Sequence, residues 1–256
     1  MITRWVSYRH AGQEAFGTLD DTDRVHEHRG QMFGANAATG RSMLLEEVQL
    51  LMPMQPTKVI ALWNNFGQLR AKLNLAVPEE PLYLLKSPNS WSAHREPIPV
   101  PRAGGKVVFE GELGIVIGQR CAAATESDAM ACVFGYTCAN DVTVSDILNR
   151  DPSFPQWVRA KGLDGFCPLG PVVATGVDPT TLTVRTLLDG VVRQDYPISD
   201  MTFPVARLVS RISVDMTLMP GDVILCGTSV GVGSMKPGSL VEVEIAGIGR
   251  LSNRFG

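Results

Sequence analysis

A chain of 256 residues, 45% hydrophobic and 19% charged with a formal net charge of −3, can bury a core without covalent staples and is too apolar to be disordered. That charge, with no Lys/Arg cluster interleaved with aromatics, excludes the electrostatic footprint of a nucleic-acid binder. No window approaches the ~20 apolar residues that cross a bilayer and the N-terminal MITRWVSYRHAGQEAFG has no apolar leader core, so a cytoplasmic protein with no membrane partner is expected.

Along the chain, Trp5 to Tyr8 and Ala15 to Leu19 alternate as short strands, broken at Ala11-Gly12 and at Asp20-Asp21-Thr22-Asp23. His26-Glu27-His28 falls in a predicted surface turn. All four histidines (His10, His26, His28, His94) read as surface side chains, with only His94, on the loop after Pro88, in reach of a pocket mouth. Met43 to Leu51 predicts a short helix before Pro53 and Pro56, dividing the chain into a small β-rich unit at 1–56 and a main domain at 57–256. In the second part KVIALW, PLYLLK, GELGIVIG, VFGYTCA, GPVVATG, LTVRTLLDG, DVILCG and LVEVEIAGIGRL recur as strands between Gly, Pro and Asn/Asp turns. Helical patterns are fewer: Gly67 to Leu75, Ser127 to Val133, Ser145 to Asn149 and the amphipathic Pro204 to Ser213. The fold class is therefore a β-dominated α+β chain without the strand–helix alternation of a doubly wound sheet. Its five cysteines (Cys121, Cys132, Cys138, Cys167, Cys226) lack CxxC spacing and read as reduced thiols.

One strand carries chemistry. Phe109-Glu110-Gly111-Glu112-Leu113 runs on into Gly114-Ile115-Val116-Ile117, and a period of two puts Glu110 and Glu112 on one face. Two carboxylates turned together into an apolar sheet lose hydration and repel, at a cost of several kcal/mol unless a proton or a cation compensates. Asp141 follows the apolar strand Val133 to Ala139 at an Asn-Asp turn where a pocket would open. Three carboxylates suit a hard, six-coordinate ion such as Mg2+ or Mn2+, with Ca2+ able to stand in for it in crystals. Taken alone, the Glu-x-Glu pair reads equally well as two exposed strand carboxylates.

The order of motifs over residues 57 to 254 resembles the fumarylacetoacetate hydrolase superfamily. Five segments carry the resemblance: PEEPLYLLKSPNS, FEGELGIVIG, FGYTCANDVT, QWVRAKGLDGFCPLGP, and LMPGDVILCGTSVGVG followed by VEVEIAGIGRLSN. It implies a mixed β-sandwich roll, a homodimer, and a divalent cation held by Glu110, Glu112 and Asp141. A small 2-oxo acid would chelate that cation, which acts as a Lewis acid in C–C hydrolysis, decarboxylation or tautomerisation. Lys161 would sit beside the substrate oxyanion or leaving group, Thr228 and Gly227 would take the substrate carboxylate, and Lys86 would either line the site or be structural. A nucleotide-loop reading of GTSVGVG fails because no helix follows.

Two departures matter. Hydrolytic members carry a histidine that activates water after the first core strand, and the aligned position here is Gln68, in Asn64-Asn65-Phe66-Gly67-Gln68. An amide orients water but cannot take its proton. The family arginine after the Asn-Asp turn is also missing, with Ser145 or a neighbour in its place. The resemblance thus implies a C–C hydrolase of aromatic catabolism, with a decarboxylase or keto-enol isomerase on the same substrate class as the alternative, and a catalytically silent metal-binding relative as the third reading.

Overall fold

The computed structural model describes residues 1–256. Its N-terminal strands Thr3–His10, Gln13–Leu19, Arg24–Gly30 and Asn36–Leu44 form an antiparallel meander. The first hairpin closes through Ala11 and Gly12, both at positive φ (48° and 80°), as a tight two-residue turn between right-twisted strands requires. The second turn is held by Asp20, whose Oδ1 accepts from Thr22 N at 2.8 Å and Arg24 N at 3.0 Å.

Two local expectations are corrected. His26-Glu27-His28 lies within a strand rather than a surface turn, because the Asp20 turn ends sooner than its polar composition implies. Met43 to Leu51 is not a helix: strand continues to Leu44, a single 3-10 turn covers Leu45–Glu47, and Gln49–Leu50 pairs with Thr3–His10. Sheet pairing overrides a weak local helical preference here.

The meander joins a 12-stranded sheet, through Thr3–His10 pairing antiparallel with Cys167–Thr175. The sheet continues through Val133–Asn140, Gly111–Ile117, Val223–Leu225, Val59–Trp63 and Leu82–Lys86. It is mixed: Val223–Leu225 runs parallel to Val59–Trp63, and Trp91–Ser92 parallel to Cys167–Thr175. A four-stranded sheet (Val191–Pro197, Thr183–Leu188, Leu240–Ile245, Gly249–Arg254) and a three-stranded one (Thr143–Val144, Val107–Phe109, Gly233–Ser234) complete the β structure. This is the β-dominated α+β architecture predicted.

Alternation along Gly111–Ile117 explains how a charged residue enters a strand buried on both faces. Leu113, Ile115 and Ile117 point into the main core with Val184, Val243, Leu251 and the helix Val205–Asp215, which contributes Val205, Leu208, Val209 and Ile212. Val116 points the other way, among Val59, Ala61, Val223, Leu225 and Leu169. Glu112 shares the side of Val116. No helix is long and apolar enough to cross a membrane.

Candidate metal centre

The expectation of one continuous strand through Glu110 is corrected. Val107–Phe109 belongs to the three-stranded sheet and Gly111–Ile117 to the 12-stranded one, so the chain changes sheets at Glu110. The neighbouring segment of the same chain makes the same transfer: Asn140 pairs with Gly111, whereas Thr143 pairs with Val108. At the double junction Glu110 N donates to Asn140 Oδ1 (3.0 Å) and Asp141 N to Glu110 O (2.9 Å). The carboxylates therefore converge because two neighbouring strands part company around them, and ligand oxygens of Glu110, Glu112 and Asp141 lie within 4.8 Å of one another.

Two lysines supply counter-charge. Lys161, buried at the end of the short helix Trp157–Lys161, donates to Asp141 Oδ2 (2.6 Å), Glu110 Oε2 (2.8 Å) and Thr143 Oγ1 (2.7 Å). Lys86, at the end of Leu82–Lys86, donates to Asp141 Oδ1 (2.6 Å) and Phe166 O (3.0 Å). Three carboxylates against two ammoniums leave one net negative charge when all are ionised. Burial pushes the Glu112 carboxyl well above the usual range, and Asp141 and Glu110 push it further the same way. Burial also raises Glu110, with Lys161 opposing. For Asp141 burial is outweighed by Lys161 and Lys86, and its carboxyl sits below the usual range. Burial would lower Lys161, but Asp141 and Glu110 outweigh it and hold the ammonium charged.

The donor set fits a hard cation. All three ligands are carboxylate oxygens, and Glu112 places Oε2 on Gly227 N (2.7 Å) while its Oε1 is buried without any partner. An orphaned buried carboxylate oxygen facing two other carboxylates is costly without a proton or metal. This trio could hold a divalent ion; no other His, Cys, Asp or Glu cluster does so.

The remaining candidates are placed as follows. Gly227 gives its amide to Glu112 and thus orients one of the three carboxylates. Thr228 donates its hydroxyl to Gly111 O (3.0 Å), which ties its loop to the glutamate pair. Gln68 is the second residue of the helix Gly67–Leu73 and is exposed, with its backbone amide on Asp200 Oδ2 (2.9 Å). Ser145 donates to Lys106 O (3.1 Å). His94 accepts from Ser252 N (3.1 Å), in a cavity of about 290 Å³ with Arg95, Glu96 and Pro97 rather than at the carboxylates. His26 and His28 hydrogen-bond Asp20 and Asn36. Sequence reasoning missed Asn140 and Thr143, although both flank Asp141, and Gln194 and Tyr196, whose signal was two buried positions in the exposed strand Val191–Pro197.

A mixed coiled sheet with an all-oxygen acidic centre and two buried lysines defines a class, and comparison gives it a family. Residues 58–256 match the model of the fumarylacetoacetate hydrolase C-terminal domain, and residues 3–53 match a Rv2993c-like N-terminal model. The chain belongs to the fumarylacetoacetate hydrolase family. It is 42% identical over 214 residues to a protein of Archaeoglobus fulgidus, covering 84% of each chain. It is 35% identical over 207 residues to the 4-hydroxyphenylacetate degradation bifunctional isomerase/decarboxylase of Salmonella dublin, covering 79% of this chain and 48% of that one. Among solved structures it superposes on a 2-hydroxyhepta-2,4-diene-1,7-dioate isomerase of Mycobacterium marinum (TM-score 0.90, 36% identity, 99% and 98% of the two chains). It also superposes on a 5-carboxymethyl-2-hydroxymuconate delta-isomerase of Mycobacterium smegmatis (TM-score 0.91, 38% identity, 98% of each).

Proposed function

We propose that this protein is a divalent-metal-dependent enzyme that isomerises or decarboxylates a small 2-oxo acid of the oxo-dienedioate type. The observation that carries this reading is the company the three carboxylates keep: two ammoniums and a threonine hydroxyl, with no imidazole among them. The names of the isomerase and decarboxylase relatives support the same substrate class.

Mg2+ or Mn2+ on Glu110, Glu112 and Asp141 supplies Lewis-acid polarisation of the 2-oxo group. Lys161 holds a fixed positive charge at the same carboxylates and offsets negative charge that builds on an adjacent substrate oxygen. Lys86 keeps Asp141 ionised and oriented. The Gly227 amide orients Glu112, and the Thr228 loop beside it is where the substrate carboxylate is bound. Isomerisation and decarboxylation both pass through a carbanion delocalised onto the 2-oxo oxygen, and neither needs a proton taken from water. Acylpyruvate hydrolysis does need one, and the exposed amide of Gln68 cannot accept it.

The test is direct: ketonisation of a 2-hydroxy-diene-dioate is followed by loss of dienol absorbance and decarboxylation of a 2-oxo acid by release of CO2, beside hydrolysis of an acylpyruvate, with Mn2+ and then with EDTA. Metal-dependent loss of the dienol is expected, with hydrolysis slower by roughly 10² or more. Faster hydrolysis than isomerisation would make the protein a C–C hydrolase, and no turnover of either substrate would leave a silent relative. A homodimer completes the reading, supported by the exposed Leu82 and Leu85 on the edge strand; a monomer mass by light scattering would refute it. Five free, buried cysteines support a reducing, cytoplasmic setting.

A further inference from the structure

The segment joining the two glutamate ligands has no side chain of its own to hold it, because it is Gly111. A Cβ there would fall 2.0 Å from Thr186 Oγ1, so glycine is required by the close approach of the strand Thr183–Leu188. The two peptides between Glu110 and Glu112 are instead fixed from outside. Gly111 N donates to Gln194 Oε1 (3.0 Å), while Gly111 O accepts from Tyr196 Oη (2.5 Å) and from Thr228 Oγ1 (3.0 Å). Gln194 is 1% exposed, and the backbone donor at its Oε1 fixes which end of the amide is oxygen. Both hydrogens of Nε2 are then committed, to Thr228 Oγ1 (2.8 Å) and Ser229 O (3.2 Å). Because Thr228 Oγ1 accepts from Gln194, its single proton is directed to Gly111 O.

We propose that Gln194 is the positioning residue that couples the two halves of the site, its one amide joining the peptide between the metal-ligating glutamates to the Thr228–Ser229 loop that receives the substrate carboxylate. The inference rests on the metal-centre reading above. Gln194 touches neither a carboxylate ligand nor the region where substrate would lie; it acts through Gly111 and Thr228. Its two ends have separable duties. Oε1 sets the spacing of Glu110 and Glu112, and Nε2 sets the loop. Partners that orient metal ligands from behind typically change metal affinity by roughly 10- to 100-fold when lost.

The experiment titrates the full-length protein with Mn2+ by calorimetry, and then the Mn2+-loaded protein with oxalate, a dianion with the adjacent oxygens of a 2-oxo acid. Gln194→Met keeps the length and volume but loses every hydrogen bond; Mn2+ binding is expected to weaken roughly 10- to 100-fold. Gln194→Glu keeps an acceptor for Gly111 N but carries at most one proton, so it cannot serve both Thr228 Oγ1 and Ser229 O. It is expected to bind Mn2+ within about threefold of the native protein and oxalate about tenfold more weakly. The glutamate variant also serves if the methionine variant does not fold. Equal Mn2+ and oxalate affinities in the native protein and both variants, with only the melting temperature lowered, would overturn the proposal and leave Gln194 a folding residue. Failure of the native protein itself to bind Mn2+ would instead remove the metal-centre reading, and the two failures are distinguished by which protein shows them.

Discussion

Glu112→Gln separates the proton reading of the centre from the metal reading in one variant. In the metal-free protein the Glu112 carboxyl is held well above its usual range, by burial first and then by Asp141 and Glu110, so its protonated, uncharged form is favoured there relative to an exposed glutamate. Glutamine is a neutral isostere of that acid: its oxygen accepts from Gly227 N as Glu112 Oε2 does at 2.7 Å. Its NH2 takes the place of the unpartnered Oε1 and points donors toward two carboxylates. The metal-free melting temperature should therefore stay within about 2 °C of native or rise, a change of no more than ~1 kcal/mol in a chain of this size. With Mn2+ the comparison reverses. At a free concentration of 100 times Kd the native fold gains about 2.7 kcal/mol, which corresponds to a shift of roughly 5–10 °C. The variant has two charged ligands left and should lose most of that shift. The assay is thermal unfolding of both proteins with Mn2+ and with EDTA. A full Mn2+ shift in the variant places the ion elsewhere, and a large loss of stability in EDTA would show that Glu112 is ionised in the metal-free fold, refuting the proton argument.

Other outcomes follow from the same contacts. Lys161→Met removes the ammonium shared by Glu110, Asp141 and Thr143 and should cost about 3–5 kcal/mol in urea unfolding without metal, with much of the loss restored by Mn2+ and turnover abolished. The folded-state carboxyl of Glu112 is raised, so protonation stabilises the metal-free fold and that contribution declines as pH rises from its unfolded value toward its folded one; Mn2+ must displace this proton, so apparent affinity should rise with pH over that same window, checked by calorimetry in buffers of different ionisation enthalpy. Asp222 is wholly buried and accepts from Thr57 N, Lys58 N, Met219 N and Lys58 Nζ; Asp222→Ala should destabilise by about 3–5 kcal/mol yet leave the Mn2+ Kd unchanged. His94 is pushed down to about 4 by burial and then by Arg95; its neutral form is the folded one, so its contribution is complete above about 6.5 and is lost as pH falls toward 4, a window that His94→Leu should remove from the stability profile.

How far the sequence reveals this site depends on whether each contact is local. Glu110, Glu112 and Asp141 were legible because each sits in a short run with its own signature, and antiparallel pairing of two such runs, Gly111 with Asn140, brings them together. The change of sheets at Glu110 was not legible, because Val107 to Phe109 and Leu113 to Ile117 are both apolar runs and Glu110-Gly111-Glu112 between them fits a single strand of period two; what breaks the strand is competition between two partners, Thr143–Val144 and Val133–Asn140, which no periodicity encodes. Lys86 shows the same limit at longer range. Its pairing with Val59 is local and predictable, whereas its bond to Asp141 depends on the whole sheet carrying the end of Leu82–Lys86 around to Phe166. His26 and His28 were placed in a turn because composition ranks polar residues as loop, although a strand with one half-exposed face accepts them. Gln194 is the instructive case. It occupies one of two inward positions, with Tyr196, of a mostly exposed strand, where a buried polar side chain must be fully hydrogen-bonded. That requirement is visible in the sequence only after the register is known, and it is the register that turns an unremarkable glutamine into the contact between the glutamate pair and the Thr228 loop.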